Sequence, residues 1–188
     1  MAAVFLWLMI IGVAGYQASG KNEVSSQLEK RGFKVFHMHE IVMEEVKKKG
    51  LEISQATMGK TATEIREKYS KGYIASCMVE RTKQHDKVCI DGIRDFHEVG
   101  IFRNAFGDNF VLIAVTARKD IRFKRALSRG RKDDAADKKV FYEKDAREAS
   151  WGLDKAIGLA DYKITNNGTF EEFKEKVKKA LDKILNTK

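Results

Sequence analysis

Continuous apolar runs alternate along this chain with segments whose apolar residues recur every three or four positions. The runs in Met9–Ala14, residues 87–91 and residues 110–115 read as strands covered on both faces. Shorter strands fit residues 33–38 and Tyr162–Thr165. Helical spacing follows Gly20, with Val24 and Leu28 on one side and a stop at Gly32. It returns at residues 40–49 before Gly50, in two pieces of residues 51–84 hinged near Gly72, in Phe96–Phe106 and in residues 120–129. Residues 169–185 predict a long amphipathic helix with Phe170, Phe173, Val177, Leu181 and Ile184 on one face. Thr169 and Glu172 have capping-box spacing at its start. This alternation predicts a right-handed, doubly wound α/β fold around a parallel sheet.

Composition narrows the picture. The chain has 188 residues, enough for one domain with a sizeable core, and no internal repeat or flexible linker interrupts it. It contains no proline, where roughly nine are expected at average usage, so glycine takes on the turns and caps. Lysine plus arginine number 36 against 27 aspartates and glutamates, a net charge of +9 that suits anionic partners without choosing among them. The lysine clusters at 47–49 and 174–179 alternate with glutamates and read as solvated helix faces. Cys77 and Cys89 match neither a disulfide framework nor a zinc pattern, and read as reduced thiols of a cytoplasmic protein.

The first 19 residues carry no charged side chain. A signal peptide would need a basic start, and cleavage near Ala18 would cut into a glycine-rich loop. A membrane-spanning helix would be interrupted by Gly12, Gly15, Tyr16 and Gln17. The expectation is therefore an apolar extension over residues 1–8, and one domain over residues 9–188 that begins at Met9.

The candidate chemistry starts directly after the first strand. Gly15-Tyr16-Gln17-Ala18-Ser19-Gly20-Lys21-Asn22 has the phosphate-loop spacing between a buried strand and a helix N-terminus. Its backbone N–H groups would wrap phosphates, and Lys21 would reach the β and γ phosphates. Asn22 stands where a Ser or Thr hydroxyl would meet magnesium, and its amide oxygen offers a neutral substitute or acts through water. Asp91 closes the third strand and is placed to hold magnesium through water, or alternatively to cap a turn with Gly92. Arg94 is positioned to clamp an acceptor phosphate or to pair with Asp95 or Glu98. Glu40, after His39, would orient the acceptor or serve as a helix N-terminal charge.

Residues 9–28, the turn Asp91-Gly92-Ile93-Arg94, residues 122–134 and Ala160-Asp161-Tyr162-Lys163-Ile164-Thr165-Asn166-Asn167-Gly168 together resemble the archaeal P-loop nucleotide-kinase-like proteins. These are related to adenylate, cytidylate and dephospho-coenzyme A kinases. The resemblance implies a P-loop fold of the nucleoside-monophosphate-kinase type, with a five-stranded parallel sheet in the order 2-3-1-4-5 and helices on both faces. It further implies an acceptor-binding helical region at about 40–84 and a lid at about 129–151. Arg66 and Arg94 match positions that grip the acceptor phosphate. Arg125 and Arg129 match the lid base beside ATP, and Arg131 and Arg147 match lid arginines aimed at the transferred phosphoryl group. Asn166 and Gly168 lie where related kinases pass a loop beside adenine. Asn22 and the His39-Glu40 pair depart from the family pattern.

The implied function is transfer of the γ-phosphoryl group of ATP, with Mg2+, to a nucleoside monophosphate or related acceptor such as dephospho-coenzyme A. Lys21, Asp91, Arg131 and Arg147 would carry the catalysis. A competing class is a nucleotide-binding regulator or RNA-associated protein that turns over poorly, which the net charge and Asn22 favour. No RRM or KH signature and no aromatic-basic interleaving supports a nucleic-acid partner.

Overall fold

The computed structural model describes residues 8–129 and 137–187. Five strands, β1 (Met9–Ala14), β2 (Lys34–His37), β3 (Lys87–Ile93), β4 (Phe110–Thr116) and β5 (Tyr162–Thr165), pair in parallel in the order β2-β3-β1-β4-β5. Parallel pairing leaves every connection to cross a face of the sheet, and helices fill those crossings. They are α1 (Lys21–Glu29), α2 (His39–Lys48), α3 (Gln55–Lys68), α4 (Tyr73–Thr82), α5 (Phe96–Phe106), α6 (Lys119–Arg129), α7 (Lys138–Trp151), α8 (Leu153–Gly158) and α9 (Phe170–Asn186).

Strand periodicity divides the core in two. Ile10, Ile90 and Leu112 face one side, where Ile41, Ile74, Met78, Val99 and Phe102 cover them. Ile11, Val13, Val111 and Ile113 face the other, packed by Val24 and Leu28 of α1 and Phe173, Val177, Leu181 and Ile184 of α9. All five strands therefore end on one edge, the edge at which open α/β folds bind ligands.

Three local expectations need correction. Asp91 does not end β3: the strand runs to Ile93, and the register with β1 shifts so that Val13 pairs with Asp91 and Ala14 with Ile93. Gly92, at a φ of 99°, absorbs that bulge. Phe170 is 58% exposed at the first position of α9, one residue after its cap, so it escapes the buried stripe that starts at Phe173. Residues 51–54 are not helical, because Ser54 and Thr57 form a capping box that starts α3 only at Gln55. The helix α8, between Gly152 and β5, had no separate signal in the pattern. The Thr169–Glu172 capping box forms as its spacing predicts.

Candidate nucleotide-binding cleft

A cleft of about 1010 Å³ opens at the C-terminal edge of the sheet, between the phosphate loop and the residues that follow β2, β3 and β5. Its walls include Gln17, Lys21, Asn22, Asp91, Arg94 and Arg125. The loop shape depends on Gly15, which has a φ of 148° and whose hypothetical Cβ would lie 2.3 Å from the Val115 carbonyl oxygen. No side chain fits there, so the chain can leave β1 and turn back over the start of α1.

Lys21 is buried, and its Nζ donates to the carbonyls of Gly15 at 2.8 Å and Tyr16 at 3.0 Å. Burial, reinforced by the positive charge of Arg94 and opposed by Asp91, pulls its pKa down to about 7. The Ser19 hydroxyl beside it is buried without a hydrogen-bond partner. Asn22 is exposed in the first turn of α1.

Opposite the loop, Asp91 places Oδ2 3.4 Å from His37 Nδ1, while its buried Oδ1 has no hydrogen-bond partner. Burial pushes the Asp91 carboxyl up, but His37 and the charges of Lys21 and Arg94 outweigh it and hold the group below the usual carboxylate range. The same pairing raises His37 against the effect of its own burial. His37 and His39 both line the cleft, with ring centroids 5.2 Å apart. Glu40 instead sits half-buried in the first turn of α2, in the helix N-terminal position.

The far wall is stitched to the phosphate loop. Asn166 Nδ2 donates to the Ser19 carbonyl at 2.8 Å. Arg125 donates to the Asn166 backbone carbonyl at 2.9 Å and to its Oδ1 at 3.0 Å, and reaches Gly168 O at 3.4 Å. Arg129 is exposed on the same wall. Arg131 lies outside the described residues.

Below this surface is a pair that sequence reasoning missed. Arg122 is 2% exposed, pairs through both Nη atoms with Asp145 of α7 at 3.0 Å and 2.5 Å, and donates to the Gln17 carbonyl at 3.2 Å. Gln17 in turn donates to the Phe141 carbonyl at 2.7 Å and to Asp145 at 3.3 Å. The Arg122 guanidinium also lies 4.9 Å from the Tyr16 ring, whose hydroxyl donates to Asp154 at 2.7 Å. The phosphate loop, α6 and α7 therefore meet at one buried ion pair.

On the side of α3 and α5, Arg66 is buried and donates to Glu98 at 2.7 Å. The other Glu98 oxygen accepts from the Arg94 backbone N–H at 2.8 Å, and Arg94 Nη1 pairs with Glu148. Arg147 packs against Gly59 of α3, with Trp151 5.9 Å away. Thus Arg94 reaches the cleft, Arg66 stands behind it in a buried network, and Arg147, half-buried, lies against α3 outside the cleft lining. Glu98, Asp145 and Glu148 were legible after all: each occupies an inward helical position, and 141, 145 and 148 form a stripe in which two acids replace apolar residues. An acid at an apolar position signals a buried cationic partner.

Parallel strand order, glycine loop and buried lysine define a P-loop kinase-like protein. A family model described as an AAA domain matches residues 11–149. A UPF0200/UPF0201 protein of Archaeoglobus fulgidus is 39% identical over 183 residues, covering 95% of this chain and 57% of that protein. A UPF0200 protein of Thermococcus kodakarensis is 37% identical over 182 residues, covering 94% and 98%. The chain belongs to the UPF0200 family.

Solved structures extend the likeness in fold alone. A shikimate kinase from Acinetobacter baumannii in complex with shikimate superposes with a TM-score of 0.65 at 16% identity, covering 98% of this chain and 97% of its own. A dephospho-CoA kinase from Campylobacter jejuni gives 0.57 at 18% identity, covering 93% and 96%. Among the described residues no helix is long and apolar enough to cross a membrane.

Proposed function

We propose that the protein is an ATP-dependent phosphotransferase whose acceptor is a nucleoside monophosphate or a related nucleotide-like compound such as dephospho-coenzyme A. The observation that carries this reading is the convergence of Lys21, Asp91 and Arg94 on one cleft beside the phosphate loop. Phosphoryl transfer asks a protein chiefly for positioning and charge neutralisation. Lys21 would leave its loop carbonyls for the β and γ phosphates, with the loop from Gly15 to Gly20 cradling them through backbone N–H groups. Arg125 and Arg129 would flank the adenine side with Asn166 and Gly168, and Arg94, backed by Arg66, would hold the acceptor. An acceptor oxygen then forms its bond to the γ-phosphorus as the bond to the ADP oxygen breaks.

The residues fit magnesium brought with the nucleotide. Asp91 Oδ1 is a buried acceptor without a partner, and Asn22 adds an exposed amide oxygen, a hard-oxygen set suited to an ion that keeps most of its waters. That ion would neutralise charge on the β and γ oxygens. Residues 9–188 would form one domain, with the acceptor region at 40–84 and a lid at 129–151 in which Arg131 and Arg147 approach the phosphoryl group on closure. The unpaired Cys77 and Cys89 fit a cytoplasmic protein.

A nucleotide-sensing role is favoured by one observation, that Arg66 and Arg94 are already paired with Glu98 and Glu148. A coupled ADP-release assay with ATP and magnesium, offering AMP, CMP, UMP, GMP and dephospho-coenzyme A in turn, tests both. Acceptor-dependent release that disappears in Lys21→Ala supports the kinase. Tight AMP or ATP binding with no release from any acceptor supports sensing instead.

A further inference from the structure

Behind the cleft wall, at the junction of β3, α3, α5 and α7, stands a group of buried charges in which two carboxylates already occupy the arginines. Arg94 lines the cleft with 24% of its side chain exposed, yet its Nη1 is taken by Glu148, whose side chain is 2% exposed. The second Glu148 oxygen is buried with no hydrogen-bond partner. Arg94 does not depend on Glu148 for its place, because Glu98 accepts from its backbone N–H and pairs with Arg66 behind it.

We propose that Glu148 is a specificity-determining internal anion, which occupies Arg94 until a phosphate-bearing acceptor displaces it and frees the C-terminal end of α7. This rests on the reading of Arg94 as an acceptor-binding residue. A carboxylate left buried without its cation is strongly unfavourable, so Arg94 cannot turn to an incoming anion while Glu148 stays where it is. Acceptor binding and movement of this end of α7 are therefore coupled. The other end of α7 is anchored separately by the Asp145–Arg122 pair. At the moving end the remaining ties are weaker: Arg147 lies against Gly59, the Trp151 indole N–H donates to Thr63 at 3.3 Å, and Arg66 lies over the Trp151 ring at 4.4 Å. A phosphate monoester can take both prongs of the guanidinium and carries more charge than the carboxylate it replaces, whereas a neutral hydroxyl acceptor cannot compete. The group at Arg94 is thus a phosphate.

Trp151 sits on this junction and reports its state. Trp7 is the other tryptophan, so Trp7→Phe leaves Trp151 as the single tryptophan, excited selectively beyond the tyrosine absorption. In that background, titration with AMP or inorganic phosphate at constant ionic strength should shift the Trp151 emission saturably, and adenosine should not. Adding Glu148→Gln should lower the half-saturating AMP concentration about tenfold and move the unliganded emission toward the liganded one. An unchanged or higher half-saturation with unchanged starting emission overturns the proposal. If Glu148→Gln does not fold by far-UV circular dichroism, Glu148→Asp, whose shorter arm reaches Arg94 poorly, decides by the same criterion. Arg94→Ala should abolish the AMP response; undiminished AMP binding in that variant removes the acceptor-side reading itself, apart from the role of Glu148.

Discussion

The two halves of the cleft satisfy their cations differently. On the donor side, Lys21 rests on two neutral backbone carbonyls of its own loop, partners that a phosphate easily replaces. On the acceptor side, Arg66 and Arg94 are matched by full carboxylates from Glu98 and Glu148. On the reading proposed above, the donor half is poised for its anion, whereas the acceptor half must first break an ion pair. Rigidity follows a different division: the Arg122–Asp145 pair clamps the phosphate loop to α7 from below.

The comparison is broken most severely from that clamp. Asp145→Ala strands a buried guanidinium and should cost about 3–5 kcal/mol of stability, read as a lower denaturant midpoint. Replacing Arg122 and Asp145 together by apolar residues of similar volume should cost far less. Lys21→Ala attacks the donor half alone: acceptor-dependent ADP release should fall about 10² to 10³-fold while the thermal midpoint stays near that of the parent. Normal turnover would remove Lys21 from the chemistry.

Gly59→Ala sharpens the acceptor side. Its Cβ would lie 2.6 Å from the Arg147 guanidinium carbon, the far end of a flexible half-buried side chain, so the guanidinium is displaced and the stability change stays within about 1 kcal/mol, alanine's better helix propensity offsetting the lost contact. A larger loss would show that Arg147 is locked in place. The donor half also has a pH signature. Free Lys21, with its pKa drawn down to about 7, is mostly neutral at pH 8, and a triphosphate beside it restores the charge. ATP binding at pH 8 should therefore take up a proton, and affinity should fall as pH rises above 7. Calorimetry in buffers of different ionisation enthalpy measures that uptake, and Lys21→Met should remove it. The smallest effect is expected from Asn22→Ser, where a restored hydroxyl should leave magnesium affinity with ATP equal or better.

Much of the donor half was legible because its elements are local. The phosphate loop joins a strand and a helix adjacent in the chain, and its glycines, Lys21 and the strand before it are contiguous. The acceptor half depends on partners far apart: Arg66 meets Glu98 across 32 positions, and Arg94 meets Glu148 across 54. Arg94 was expected to meet either a phosphate or Asp95 or Glu98; Glu98 takes only its backbone N–H. Asp145 lies beneath the loop with Arg122, a partner 23 positions away on another helix. Phe170 shows the same limit, since periodicity places it on the apolar face although the helix start leaves it beyond the sheet.

By itself, the sequence determined the alternation of elements, the parallel sheet and the position of the phosphate loop. Apolar runs, helical spacing and glycines act over a few residues, and the connection rules for parallel strands leave few topologies. Only the tertiary structure decided which carboxylate meets which guanidinium, that Asp91 keeps one oxygen without a partner, and that α7 is fastened at both ends. Ion pairs are formed by whatever charges the packed helices bring within reach, and that distance is set by the three-dimensional arrangement of the layers, on which spacing along the chain is silent.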